Sequence, residues 1–444
     1  MPQVLTWSGT LPISHDQRRF GSWHVLAQRR FALYFAGSFG SNLGTWMQNT
    51  AQMLLAYKLT HSALAVGSVT CLQFAGFLVL GPWAATLADR IGSKRVLVGS
   101  QVLSAAIAAT MACLQFAGAL NLRLLMAGAL GIGLAFTFAL PLQTALVPSL
   151  AAEADTKAAL AMNSVSYNAG RTVGPVLCVA LFASVGSGWA FALNAISFIV
   201  FTAVIVAIQP GRLAGRGNGA PSARNPRDWS GLRVALGQPR ILLLLAMVAA
   251  VTVADDPVLV LGPTLARQVL NVPSVWPAYF LTALGLGTAL GAFVPTRPST
   301  AQRAAIPLLA LAVSVIVFAA GLAAWLSLAA ALMAGVAGLL TGAAAQALLV
   351  KAAGPRYTTQ VMALWAVAWA GSKPIASVAD GWLAMHVGVF HAAVLLAMPA
   401  LAIGLLERFL RPSAKKWLKQ RMHSFGQSHG AIQAFGDHEP LVHT

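Results

Sequence analysis

Five ionisable residues fall inside otherwise apolar stretches of this chain: Arg171, Asp255, Asp256, Lys373 and Asp380. A charged side chain in such surroundings is costly, and is a functional candidate by default. Asp255 and Asp256 are adjacent in "VTVADDPVLVLGP". Two neighbouring carboxylates in a low dielectric resist ionising together, which is the property a proton carrier needs. Pro257 and Pro263 are expected to break the helix there; if it simply ends early, the pair lies in a wet vestibule instead. Arg171 keeps its charge under ordinary conditions and shares a helix face with Asn168 and Pro175. It suits an anionic substrate group, a partner carboxylate, or a structural ion pair. Lys373 and Asp380 are two turns apart, too far along the axis to pair directly. Lys373 is expected to meet a carboxylate of another helix.

A second constellation is uncharged. Asn42, Thr45, Asn49 and Gln52 form a polar stripe on an apolar helix, with Trp46 beside it. Facing lipid, these amides would be unsatisfied. Facing a central cavity they can bind water and substrate, with Trp46 stacking on a flat or apolar body; bonding between helices is the plainer use.

The elements that must position these residues are membrane helices. Charged residues make up 9% of the 444 and hydrophobic ones 58%, against about a quarter charged in a soluble chain. Residues 172–211 and 304–350 contain no Asp, Glu, Lys or Arg, and each block is about twice the roughly 20 residues that cross a bilayer. Breaks fall near their middles, at "GSGW" 186–189 and "WLS" 325–327. Backbone amides in lipid must pair within their own element, so helices are expected. Spans are predicted at 31–57, 62–86, 96–118, 123–147, 161–183, 188–208, 241–263, 275–296, 305–326, 327–350, 359–385 and 388–410. The result is an all-α polytopic membrane protein with both tails on one side.

The net charge of +18 would point to nucleic acid in a soluble protein. Its placement points elsewhere. Every Lys and Arg falls on the side of the tails except Lys58, Arg123 and Arg267 in the opposite loops, and Arg171 and Lys373 inside spans. By the positive-inside rule both tails are expected in the cytoplasm, with the bases meeting anionic lipid headgroups rather than nucleic acid. The divisions are a tail at 1–30, six helices in 31–208, a linker at 209–240, six more in 241–410, and a basic tail at 411–444. The linker is rich in Gly, Pro and Arg, and Trp229 to Leu236 could lie along the membrane as a short helix. "RPSAKKWLKQRMHSF" in the C-terminal tail reads as a basic interfacial segment. No removable signal peptide is expected at the N-terminus. Cys71, Cys113 and Cys178 all fall in spans and read as small core residues.

The halves echo one another. Gln143 opens "QTALVPSLAAEADTKAALAMNSVSYNAGRTVGP" and Gln346 opens "QALLVKAAGPRYTTQVMALWAVAWAGSKP". Two similar six-helix halves imply a transporter with a site between them. No phosphate loop of the G-x-x-x-x-G-K-[ST] kind is present, so direct ATP drive is not expected. The histidines are scattered and no nucleophile elbow appears, so no metal, cofactor or enzymatic activity is expected.

"ATLADRIGSKR" resembles the loop between spans 2 and 3 of the major facilitator superfamily, G-x-L-A-D-R-x-G-R-K, with Ala85 and Ser93 as departures. "NSVSYNAGRTVGP" resembles span 5 of the subgroup containing the enterobactin exporter and macrolide efflux proteins, N-x-x-R-x-x-G-P, through Asn168, Arg171, Gly174 and Pro175. "RDWSGLRVALGQPRILLLL" resembles that subgroup's entry to span 7. Two further departures are "YTTQVM", which lacks the bases of the subgroup's R-G-R-V-M pattern, and "GPVLCV", which lacks the glycine pair of antiporters.

The resemblance implies two pseudo-symmetric six-helix bundles and export of an amphiphilic siderophore, drug or secondary metabolite through a bacterial inner membrane by alternating access and proton antiport. An uptake permease or facilitator of the same fold is the alternative, and a membrane-embedded sensor or enzyme the more distant one. In that frame Asp89, Arg90, Gly92, Lys94 and Arg95 form a gating latch: Asp89 accepts bonds from helix N-termini or bases, and Gly92 permits the reversal into span 3. Asp255, Asp256, Asp380 and Lys373 are the proton-coupling candidates. The expected partners are a small-molecule substrate, protons and lipids, for a chain acting as a monomer.

Overall fold

A computed structural model describes residues 21–208, 236–294 and 300–410. The proposed surface helix in the linker and the basic C-terminal segment lie essentially outside these residues. The described chain is built from long helices: α1 (Arg29–Thr60), α2 (Ala63–Ile91), α3 (Ser93–Phe116), α4 (Leu122–Leu146), α5 (Thr156–Ser184) and α6 (Gly188–Ala207). The second half holds α7 (Pro239–Val260), α8 (Trp276–Gly291) and α9 (Ala301–Ala319). Glycines in left-handed or extended conformations then cut the remaining helical chain into three rods. Gly354 (φ 65°) and Gly388 (φ 83°) divide it into α10 (324–353), α11 (355–387) and α12 (389–405). These dihedrals are open to glycine and strained for other residues. A short N-terminal 3₁₀ helix, Gly21–Ala27, precedes α1.

Seven helical stretches of the described residues are long and apolar enough to cross a bilayer by length and composition. Helix α1, with Asn42, Gln48, Asn49 and Gln52, and α5, with Asn163, Asn168 and Arg171, carry polar groups that dilute their hydropathy.

Two boundaries differ from expectation. The break between α9 and α10 lies at Gly321 (φ 58°) rather than at 325–327, because the glycine, not the Trp-Leu-Ser run, can supply the positive φ. Pro257 does not end α7. The helix runs through it to Val260 and continues by a π turn at Leu265–Val269. Proline in a membrane helix is tolerated when neighbouring groups satisfy the freed carbonyl.

Each half packs within itself, α1 on α5 and α6, α2 on α4, and α3 on α4 and α6; α7 lies on α10 and α11, and α8 on α10. Between halves, α2 lies on α11 and α5 on α8. Both contacts rest on glycine. A Cβ at Gly67 would overlap the Ser377 carbonyl, and one at Gly285 would sit 2.8 Å from Thr172 Cα. Small residues let membrane helices approach this closely.

The up-and-down course puts the start of α1 and the end of α12 on one face, the tail face, with the loop face opposite. Hydrophobic packing differs between them. On the loop face one core joins Tyr57, Ala63 and Val66 of the first half with Val260, Leu261 and Leu265 of the second. On the tail face Phe31, Tyr34, Leu142, Met162, Phe201 and Ile205 form a separate core drawn from the first half alone. The halves are cemented at the loop face. Cys178 is buried as expected, whereas Cys113 is exposed.

Candidate functional site

The intramembrane charges meet where α5, α7 and α11 converge. Asp255 and Asp256 are consecutive, so a helix turns them about 100° apart. Asp255 Oδ2 faces the first half, 3.4 Å from an Arg171 guanidinium nitrogen. Asp256 is fully buried; its Oδ1 lies 3.2 Å from Lys373 Nζ, and its Oδ2 accepts a 2.6 Å hydrogen bond from Ser377 Oγ. Lys373 also reaches Asp255 Oδ1 at 3.7 Å. Thus the carboxylates that Lys373 meets are both on α7. Ser377 follows Lys373 by one turn, so the two present donors to α7 from one face.

Asp380 is fully buried beneath this group, with its carboxyl beside that of Asp256. Asp256, Lys373 and Asp255 are the charges acting on it. The cluster therefore holds two cations and three carboxyls, and one proton balances it. A buried unpaired carboxylate is expensive, so this arrangement is suited to exchanging that proton.

Arg171 is the member of the cluster that faces open space. It borders a narrow cavity with Trp46, Asn49, Gln73 and Phe74. An adjoining cavity adds Asn42, Thr45, Phe136 and Tyr167. The Trp46 ring lies under Arg171, 5.6 Å from centroid to guanidinium carbon, and meets Tyr167 edge-on at 5.8 Å. The cation over the indole face is an attractive geometry. Phe74 does the same for Lys373 at 5.9 Å.

Three of the four stripe residues line these cavities; Gln52 does not. It is buried among α1, α2 and α3, accepting from Gln73 and donating toward the Met111 sulfur. Asn42 donates to Ser166 at 3.0 Å, and Thr45 bonds back to the Ser41 carbonyl. Asn168 borders neither cavity: its amide bonds to the Ser164 carbonyl one turn earlier. Along the Arg171 face of α5, Pro175 and Cys178 toward the loop face are buried, while Ser164 toward the tail face is exposed. Burial along this face of α5 thus falls from the loop side to the tail side.

The 87–95 loop is partly described. Asp89 closes α2, but its side chain lies outside the described residues. Gly92 has φ +100°, and Arg90 and Arg95 are exposed. Lys94 donates to the carbonyls of Val206 at 3.0 Å and Ile208 at 3.2 Å. It caps the C-terminal end of α6, a favourable place for a cation, and stays within its own half instead of bridging the two.

Gln73, Phe74, Phe136, Tyr167 and Ser377 were missed from sequence. Gln73, a lone amide within an apolar helix, carried a usable signal, as did Tyr167, one turn before Arg171. The aromatics and Ser377 carried none.

Comparisons with known proteins agree with this architecture. The Staphyloferrin A transporter of Staphylococcus aureus (strain NCTC 8325 / PS 47) is 24% identical over 168 residues, covering 38% of this chain and 42% of that protein. The POT family transporter PepTSo superposes with a TM-score of 0.67 at 13% identity, over 88% of this chain and 99% of that one. A bacterial homologue of the human lysosomal transporter Spinster, solved inward-facing and unoccupied, gives 0.61 at 15% identity over 85% and 94%. The nucleoside transporter NupG (D323A mutant) gives 0.64 at 11% over 84% and 98%. A family model described as Major Facilitator Superfamily matches residues 34–370. An all-α fold of two pseudo-symmetric six-helix bundles, with that match spanning most of both, makes this chain a multi-pass membrane transporter belonging to the major facilitator superfamily.

Proposed function

We propose that the protein is a secondary active transporter that exports a small amphiphilic molecule of siderophore, drug or secondary-metabolite type, with protons moving the other way. It works as a monomer in a bacterial inner membrane, both termini cytoplasmic. The observation that carries this reading is the cluster of Arg171, Asp255, Asp256, Lys373 and Asp380, whose charges balance on taking up one proton. Its ion pair across the halves, Arg171 to Asp255, ties proton occupancy to their relative position. The tail face is then the cytoplasmic one, and the structure corresponds to an inward-facing state. Export and membership of the siderophore and macrolide efflux subgroup rest on the span-5 motif; the match to the Staphyloferrin A transporter supports the substrate type.

A second reading is uptake, with solute and proton travelling together. One observation favours it: the cavity-lining charge is a cation, Arg171, and the carboxyls stand behind it.

Purified protein in vesicles containing a pH-sensitive dye tests both. Siderophores and amphiphilic antibiotics should each be offered under an imposed pH gradient. Export by exchange predicts solute-dependent proton flux opposite to the solute, abolished in Asp255→Asn and Asp256→Asn with the protein still folded. Flux in the same direction selects uptake. Undiminished accumulation in both variants would place coupling elsewhere.

A further inference from the structure

We propose that the cavity beside Arg171 binds a planar aromatic monoanion, its charged group on the guanidinium in place of Asp255 and its ring against Trp46 and Tyr167. This rests on the reading of the cavity as the transporter's substrate site, but on neither direction of transport.

Arg171 is underused where it stands. A guanidinium carries five N–H donors, and among the described residues Arg171 makes one hydrogen bond, to Asp255, at 3.4 Å. That is longer than the ordinary range of 2.7–3.2 Å. The remaining donors sit at the edge of the cavity, with the side chain 19% exposed. Asn49, on the same wall, uses its carbonyl oxygen to accept from Gln73 at 3.4 Å, which leaves its amide hydrogens for a ligand. An anion presented here gains a fork of donors that Asp255 does not fill.

Displacing Asp255 does not strand it. Its other oxygen lies 3.7 Å from Lys373 Nζ, so one cation stays beside the released carboxylate. Lys373 itself is turned to Asp255 and Asp256 and is nearly buried. Arg171 is therefore the anchor for a single negative charge, and a dianion would lack a second one. A cation finds none of the three carboxyls on the cavity wall.

The rest of the wall sets the body of the ligand. Trp46, Phe74, Phe136 and Tyr167 surround a narrow space in which the polar groups are the amides of Asn42, Asn49 and Gln73, the hydroxyls of Thr45 and Tyr167, and the Trp46 indole N–H, all uncharged. Edge and face contacts among rings favour a flat aromatic guest.

Equilibrium dialysis of purified protein, with no gradient, tests the ligand class. The probes are 2-naphthoate, neutral 2-naphthamide and 2-naphthylmethylammonium. The anion should bind at least about tenfold more tightly than either analogue, about the value of one charge-assisted hydrogen bond. Arg171→Gln should remove that preference, and Arg171→Lys should keep part of it. Asp255→Asn should tighten naphthoate binding several-fold, because the competitor has gone. Equal binding of the three probes, or weaker anion binding in folded Asp255→Asn, would overturn the proposal. Full-rate carriage of a neutral or cationic solute by Arg171→Gln would also overturn it, and would leave the transporter reading standing. Naphthoate binding without any solute flux would do the reverse.

Discussion

Arg171 on α5 and Asp255 on α7, separated by 84 residues in sequence, form a 3.4 Å ion pair across the boundary between the two halves. Neither residue can hold this contact unchanged if the halves rock apart. Arg171→Gln should therefore shift the population away from the state described. Spin labels at Leu160 and Val350, on the tail ends of α5 and α10, would report it as a shortened distance. An unchanged distribution would mean that the pair does not bias the two states.

Ser377 gives Asp256 a 2.6 Å hydrogen bond in a fully buried setting. Ser377→Ala should cost about 2 kcal/mol, the value of a hydrogen bond to a charged group, and lower the unfolding midpoint in detergent. Ser377→Thr keeps the hydroxyl and should recover most of the loss. If alanine and threonine variants melt alike, the bond contributes little.

At Gly67 the α2 backbone touches the Ser377 carbonyl of α11. Gly67→Leu has to separate these helices on the loop-face side of the charge cluster, at about 1–3 kcal/mol of overpacking strain. The expected readout is greater labelling of the native thiol of Cys71, one turn along α2 from Gly67, together with slower transport. Labelling equal to that of the unsubstituted chain would refute a close fit there.

Lys94 and Asp89 separate bracing from gating. Lys94 holds the end of α6 within its own half, so Lys94→Ala should lower thermal stability slightly and leave turnover nearly intact. Asp89→Asn, at the latch that the loop motif implies, should slow turnover with little change in substrate affinity. Equal turnover defects in the two would fit a general loss of structure rather than a latch.

Much of this was legible in the chain because the bilayer imposes strict rules. Helix existence followed from charge-free blocks, and the turn at Gly186 from the "GSGW" break. The five buried charges stood out as costly. Their pairing did not, since Arg171, Asp255 and Lys373 lie on different helices and no local spacing records the contact. Gln52 was misassigned for a reason of pitch. The ten-residue step from Asn42 falls about 80° short of whole turns, enough to rotate the last amide off the cavity and into the bundle. Pro257 misled because a break was inferred from one missing N–H, while the neighbouring helices supply the support that α7 needs.

The one-sided cement between the halves has a further implication. In the alternating-access reading proposed above, a shell glued along one rim offers its contents a single doorway at any moment, and ions cannot stream through it. Throughput is then counted in single parcels per swing. Loosening that greasy seam would be expected to turn a carrier into a leak before it abolished binding.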